Sequence, residues 1–221
     1  MSLHELASAC LADCTQAQQE AIAHMEGPLL VLAGPGSGKT RVITRRIAHL
    51  TARGVPPDEI LAITFTNKAA GEMRERVAAL HAPVTGWIST FHSFCARLLR
   101  MYGAHVGLQP AFSIYDSADS LAAVKRAMHE VGIEKGALQP GAVARAISEA
   151  KNRFGASNAI SFDAQAQGGE ELTAVYDRYQ AILRAANAAD FDDLLILAVR
   201  LLRDTPETRE RLAQRFRYVL V

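Results

Sequence analysis

Residues 29–42 read Leu29-Leu30-Val31-Leu32-Ala33-Gly34-Pro35-Gly36-Ser37-Gly38-Lys39-Thr40-Arg41-Val42. Four consecutive apolar residues suit a short parallel strand buried on both faces. A glycine-rich turn follows, and Val42, Ile43, Ile47 and Leu50 then recur at helical spacing. Strand, small-x-x-x-x-Gly-Lys-Thr and helix form the context of a phosphate-binding loop, with Ala33 where the stricter pattern has Gly. The residue types suit that chemistry. Gly34, Gly36 and Gly38 let backbone amides approach phosphate oxygens with no Cβ in the way. The helix beyond them offers unpaired N–H groups and a positive dipole end to the same anion. Lys39 supplies a cation for the terminal phosphates, and Thr40 supplies a hydroxyl for Mg2+, a hard ion that prefers oxygen. The bland alternative is a glycine-rich strand–helix turn with no ligand.

Working outward, Thr15 and Gln18 stand in capping-box register at the start of a helix that runs to about Met25, and Gly27-Pro28 breaks it. Downstream, Ile60–Phe65 reads as a second strand. Ala70, Met73, Val77 and Leu80 mark a helix, and His81–Thr85 a loop. Trp87–Thr90 reads as a third strand, and Phe94, Cys95, Leu98 and Leu99 share one helical face. This alternation predicts an α/β domain with a parallel sheet. From Asp116 to Gln214 the pattern turns helical. Its stripes are Leu121, Val124, Met128 and Val131; Val143, Ile147, Ala150 and Phe154; Leu172, Val175, Tyr179 and Ile182; and Leu194, Leu195, Ala198, Val199 and Leu202. Gly155–Gly169 is expected to be a mobile loop. Thr205-Pro206 opens a last helix, and Arg217–Val221 reads as a strand again. The expectation is an all-helical block inserted into an α/β domain.

Composition narrows the class. Of 221 residues 49% are hydrophobic and 21% charged, as in a soluble globular protein, and the net charge is +1. No basic stripe announces a nucleic-acid partner, so that case must come from motifs. Cys10, Cys14 and Cys95 do not complete a metal set and read as reduced thiols. Apolar runs fall far short of a membrane span and no secretory leader is visible, so the cytoplasm is the expected location.

Three further segments follow the glycine-rich loop in order: Ala62–Ala70 (Ala-Ile-Thr-Phe-Thr-Asn-Lys-Ala-Ala), Ser89–Ser93 (Ser-Thr-Phe-His-Ser) and Asn187–Leu195 (Asn-Ala-Ala-Asp-Phe-Asp-Asp-Leu-Leu). Together they resemble the UvrD/Rep/PcrA family of superfamily-one DNA helicases from Thr15 onward. The resemblance implies a first RecA-like P-loop NTPase motor domain over residues 1–92 and 212–221, with a helical insertion over 93–211 that touches duplex DNA. It implies ATP and Mg2+ as cofactors, with Lys39 and Thr40 catalytic and Thr40 reaching the metal through the nucleotide. Single-stranded DNA and a duplex junction are the implied substrates, with 3′ to 5′ movement and a second motor domain as partner.

Residue roles follow by position. Gln18 matches the glutamine that reads adenine, although it also reads as a helix-capping residue. Ala33, Gly34, Pro35, Gly36, Ser37, Gly38, Lys39 and Thr40 would cradle the phosphates. Arg41 would lie against the nucleotide or serve as a solvated helix charge. Phe65 reads as core from its apolar strand, but the resemblance makes it a ring that stacks on a base. Thr64, Asn67 and Lys68 would hold the sugar–phosphate backbone, with a solvated helix start the alternative for Lys68. Thr90 and His92 match a DNA-contact or coupling motif, and a lone histidine beside apolar residues also reads as structural. Asp190, Asp192 and Asp193 are assigned no metal.

Two departures matter. The family has Leu-Asn where this sequence has Cys14-Thr15, and its acidic Asp-Glu…Gln-Asp motif would begin where Val221 stands. Without that motif and the second motor domain, residues 1–221 alone are expected to turn over ATP negligibly. The competing readings are a stand-alone nucleotide- or DNA-binding module without catalysis, the front of a recombination helicase–nuclease subunit, and a small P-loop kinase. The kinase leaves Phe65, Thr90–His92 and Asp190–Leu195 unexplained.

Overall fold

The computed structural model of the chain describes residues 3–84, 86–134, 138–153, 162 and 169–221. Contacts divide it into two compact units, Met1–Phe94 with Glu210–Val221, and Cys95–Arg209.

The first unit contains helices α1 (Leu3–Leu11), α2 (Gln16–Ala23), α3 (Lys39–Ala52) and α4 (Asn67–Ala79), and strands β1 (Ile60–Thr64), β2 (Ile88–Thr90) and β5 (Tyr218–Leu220). The sheet is parallel in the order β2-β1-β5, with Thr64 opposite Thr90 and Ala62 opposite Leu220. Ile60, Leu61, Ala62 and Ile63 are all buried, as the continuous apolar run requires of a central parallel strand. Ile22, Ile47, Leu50, Ile60, Val77 and Ile88 share one core. Beside β2, Trp87 meets Phe94 and Phe216 edge-on at 6.1 and 4.9 Å between ring centroids, and the Arg215 guanidinium lies 4.9 Å over its ring. Edge-to-face rings and a cation over an indole are favourable geometries.

The segment Leu29–Leu32 corrects the sequence reading. It forms no strand, and Leu30 and Leu32 are 82% and 88% exposed. A strand exists through hydrogen bonds to a neighbour, and among the described residues none pairs with this segment. Its apolar composition signals a surface that wants cover but does not supply the partner.

The second unit holds α6 (Ser117–Val131), α7 (Pro140–Asn152), α8 (Gly169–Ala185) and α9 (Phe191–Asp204). Helix α5 (Phe91–Tyr102) leads the chain into this unit, and α10 (Pro206–Arg215) leads it out. Val124, Met128, Val143, Ile147, Val175, Tyr179 and Ile182 pack together, so three of the expected stripes face one core. Phe154 and nearly all of the loop expected at Gly155–Gly169 lie outside the described residues. The fourth stripe is rotated: Leu194, Ile196, Ala198 and Leu201 are buried, and Val199 is 52% exposed. Residues 194–199 are all apolar, so periodicity could not select the face. The unit is also not all-helical, because β3 (Ser113–Tyr115) and β4 (Ala188–Asp190) form a short parallel ladder. Three-residue strands are too short to show an alternation in sequence.

Asp190 ends β4 and caps α9 in a reciprocal capping box with Asp193. Both carboxylates receive the ammonium of Lys151 on α7, at 2.5 and 2.8 Å, and the Tyr179 hydroxyl donates to Asp190 at 2.7 Å. Lys151 is 2% exposed. Burial pushes the Asp193 carboxyl up, aided by the charge of Asp190 and opposed by Lys151. At Asp190 burial pushes the same way, but the ammonium and the hydrogen bonds around it overcome burial and hold the group below the usual carboxylate range. Breaking one side of such a buried cluster costs about 3–5 kcal/mol. Lys151→Ala is therefore expected to lower the unfolding free energy of the helical unit by that amount in urea titrations followed by circular dichroism. A loss under about 1 kcal/mol, the scale of a surface pair, would contradict the clasp.

Candidate functional site

Helix α3 begins at the residue that closes the glycine-rich loop, and two of its own arginines fix its surroundings. The Arg45 guanidinium donates to the carbonyls of Ala9 (3.5 Å), Cys10 (3.2 Å) and Ala12 at the end of α1. Arg46 does the same at the end of α2, to Ala21 (2.9 Å), Ile22 (3.4 Å) and His24. The last carbonyls of a helix have no intrahelical partner, so consecutive arginines here satisfy two helix ends at once.

The loop itself is built on two left-handed glycines. Gly36 has φ 73° and Gly38 φ 84°, and a Cβ on Gly38 would stand 3.1 Å from Gln18 Nε2. Gly38 is also the N-cap of α3, and no side chain caps the helix there. The Ser37 hydroxyl donates to the Gly34 carbonyl at 2.7 Å, closing the turn around Pro35. Lys39 folds its ammonium back onto the carbonyls of Ala33 (3.1 Å) and Gly34 (2.8 Å), so in this state the lysine fills the bend. Residues 29–37 are exposed, while Thr40 and Arg41 are half-buried on the first turn of α3, and their carbonyls accept from the Thr44 hydroxyl. Gln18 uses both ends of its amide. Oε1 accepts from Thr15 N at 3.0 Å in the capping box, and Nε2 donates to the Ser37 carbonyl at 2.9 Å. The side chain thus reads as a cap and, at the same time, reaches the loop.

Lys39, Val42 and Arg46 face Leu29–Val31 and Val219–Val221 across a cleft of about 450 Å³. The cleft meets the sheet at the end of β5, whose Leu220 pairs with Ala62 in the middle of β1.

The second group of sequence-selected residues gathers at the tips of β1 and β2. Thr64 and Thr90 are in register. Phe65 follows Thr64 and is 85% exposed, its ring tilted 53° from that of Phe91 with centroids 5.7 Å apart. Thr66 caps α4 by accepting from Ala69 N at 3.1 Å, which sets Asn67 and Lys68 on an exposed first turn. Thr90 is buried, its hydroxyl donating to Ser93 Oγ at 2.8 Å and accepting from Ser93 N at 3.2 Å. It therefore shapes the start of α5, where His92 is half-buried. Among the described residues, no group of three or more His, Cys, Asp or Glu side chains could hold a metal ion, and no helix is long and apolar enough to cross a membrane. Sequence reasoning passed over Arg45, Arg46 and Phe91. The arginines carry no local motif. Phe91 lay inside a segment already selected, and the parallel register that brings it to Phe65 was not visible.

The sequence model of the UvrD/REP helicase N-terminal domain matches residues 14–221. The chain belongs to that family. Among its UvrD/REP relatives, the ATP-dependent DNA helicase UvrD1 of Mycobacterium tuberculosis (strain ATCC 25618 / H37Rv) is 46% identical over 212 residues, covering 92% of this chain and 27% of that protein. The ATP-dependent DNA helicase PcrA of Bacillus subtilis (strain 168) is 40% identical over 222 residues, covering 99% of this chain and 30% of its own length. PcrA of Leuconostoc citreum is 42% identical over 208 residues, covering 92% and 28%. The chain thus spans less than a third of the length of these UvrD/REP helicases. The family model's match takes in Gln18, the loop, Phe65 and His92, and starts after α1.

Proposed function

We propose that this chain is the ATP- and DNA-binding front part of an ATP-dependent 3′–5′ DNA helicase or translocase acting in the cytoplasm. Its first unit would be a RecA-like motor domain, and its second a helical insertion directed at a duplex junction. The observation that carries the reading is the uncapped start of α3 behind a loop with two left-handed glycines and a folded-back Lys39. Such a helix start presents free amides and a positive end to a phosphate.

The residues present fit a magnesium–triphosphate. Gly36–Thr40 would supply amides, and Lys39 would exchange its two loop carbonyls for phosphate oxygens. The Thr40 hydroxyl would reach Mg2+ through the nucleotide, and the bound metal would neutralise charge on the phosphates. Gln18 would keep its place on the Ser37 carbonyl or turn its amide to a base edge, which can both accept and donate. Arg41 would flank the nucleotide. On the other face, Phe65, backed by Phe91, would stack on an unpaired base. Thr64, Asn67 and Lys68 would hold the backbone beside it, and Thr90 and His92 would set the strand tip that carries the ring. In the whole protein, the exposed row of Leu29–Leu32 would gain a strand partner from residues beyond these, and a second motor domain would close the ATP cleft. The share of each relative covered, under a third, supports both points.

Two substitutions test the reading. Lys39→Ala removes charge-assisted contacts worth about 1.5–3 kcal/mol each, so calorimetry should show nucleotide affinity falling by at least about tenfold. Unchanged affinity would move the site elsewhere. Phe65→Ala should weaken single-stranded DNA binding by about 1–3 kcal/mol, independently of base sequence. This is read by fluorescence anisotropy with two oligonucleotides of different composition. A loss confined to one sequence, or none, would speak for an ordinary exposed ring.

A further inference from the structure

Helix α2 brings Gln18 to the loop and is anchored at its other end. Among its eight residues, Ala21 and Ile22 are buried, whereas Gln16, Ala17, Gln19 and Glu20 are exposed. A helix this short is marginal by itself, so its direction is set by what holds it. Arg46 supplies that hold. Its guanidinium donates to the carbonyls of Ala21 (2.9 Å), Ile22 (3.4 Å) and His24, groups that a helix end leaves without intrahelical partners. Lys39, Val42, Ile43 and Arg46 recur at helical spacing on the face of α3 that lines the cleft. The cation that clasps α2 thus stands two turns along the same helix from the lysine of the loop.

Gln18 depends on that clasp. It lies one turn before Ile22 and on the same face of α2, and Ile22 is fully buried in the core that α2 shares with α3. Its amide meets the Ser37 carbonyl at 2.9 Å, and a shift of about 1 Å would take that bond out of range. We propose that Arg46 is a positioning residue for nucleotide recognition, holding the end of α2 so that Gln18 stays against the phosphate loop. Arg46 does this from behind the site, through carbonyls and with no contact to the ligand. Without the guanidinium, the carbonyls of Ala21, Ile22 and His24 lose a shared donor and turn to water. The end of α2 then loosens from α3, and the Gln18 amide leaves Ser37.

The effect on binding rests on the function proposed above, whereas the placement of Gln18 does not. The 221-residue chain, Gln18→Ala, Arg46→Ala and the double variant are titrated with magnesium–ATP by calorimetry, each first shown by circular dichroism to be folded. Each single variant should bind about fivefold more weakly, the scale of one lost hydrogen bond. The double variant should bind no more weakly than Gln18→Ala. An arginine that only stabilised the fold would cost the same factor with or without Gln18, and that result overturns the proposal, as does unchanged affinity in Arg46→Ala. Should Arg46→Ala fail to fold, Arg46→Lys replaces it. Lysine keeps the stem and the charge but not the planar fork, and the same dependence on Gln18 is required of it. The side-chain amide NMR signal of Gln18 in the free chain must also move when Arg46 is replaced, and an unmoved signal overturns the placement. Lys39→Ala separates the two claims. If it weakens binding while Gln18→Ala does not, the phosphate-loop reading stands and the proposal falls. If Lys39→Ala changes nothing, the reading itself fails and takes the proposal with it.

Discussion

The first turn of α3 has backbone amides that no side chain caps, and the rest of the first unit is arranged around that deficit. Gly38 enters the helix from a left-handed conformation, with Gln18 3.1 Å from where its Cβ would stand. Any L side chain there would be strained as well as crowded. Lys39 meanwhile compensates its neighbours, bonding two loop carbonyls with the charge that a phosphate would claim. The bend is thus held in shape by the residue that a ligand would recruit. Arg45 and Arg46 extend the same logic along the helix, satisfying the ends of α1 and α2 from within α3. A helix whose start is proposed to seat an anion is in this way anchored by its own cations further along.

The sheet supplies the second constraint. Parallel pairing of β1 with β2 puts Thr64 beside Thr90, so the residues following them, Phe65 and Phe91, meet as neighbouring rings. One of them stays 85% exposed, an uncommon state for a phenylalanine just beyond a strand whose first four residues are buried. The cluster of buried Trp87 and Phe216 with half-buried Phe94 braces β2 from its other end. In the second unit Lys151 plays the corresponding part, tying α7 to the start of α9 through two carboxylates.

Legibility followed the physics of each element. The Thr15–Gln18 capping box, the helix after the loop, β1 and β5 could be read because local spacing specifies them. Leu29–Leu32 could not be placed, because pairing is a property of two segments and only one was in view. The face of α9 was ambiguous because its apolar residues run without interruption from Leu194 to Val199. The β3–β4 ladder joins segments more than seventy residues apart, and nothing in either three-residue strand names the other. The loop residues were selected as a group by their order, yet the folded-back Lys39 and doubly engaged Gln18 are contacts that no spacing rule encodes.

The most direct measurement is the backbone amide NMR spectrum of the chain titrated with magnesium–ATP and, separately, with adenosine. The account predicts that the amides of Gly36, Gly38, Lys39 and Thr40 shift with the triphosphate and stay in place with the nucleoside. Amides unmoved at those four positions while the triphosphate binds, or equal shifts with both ligands, would contradict it.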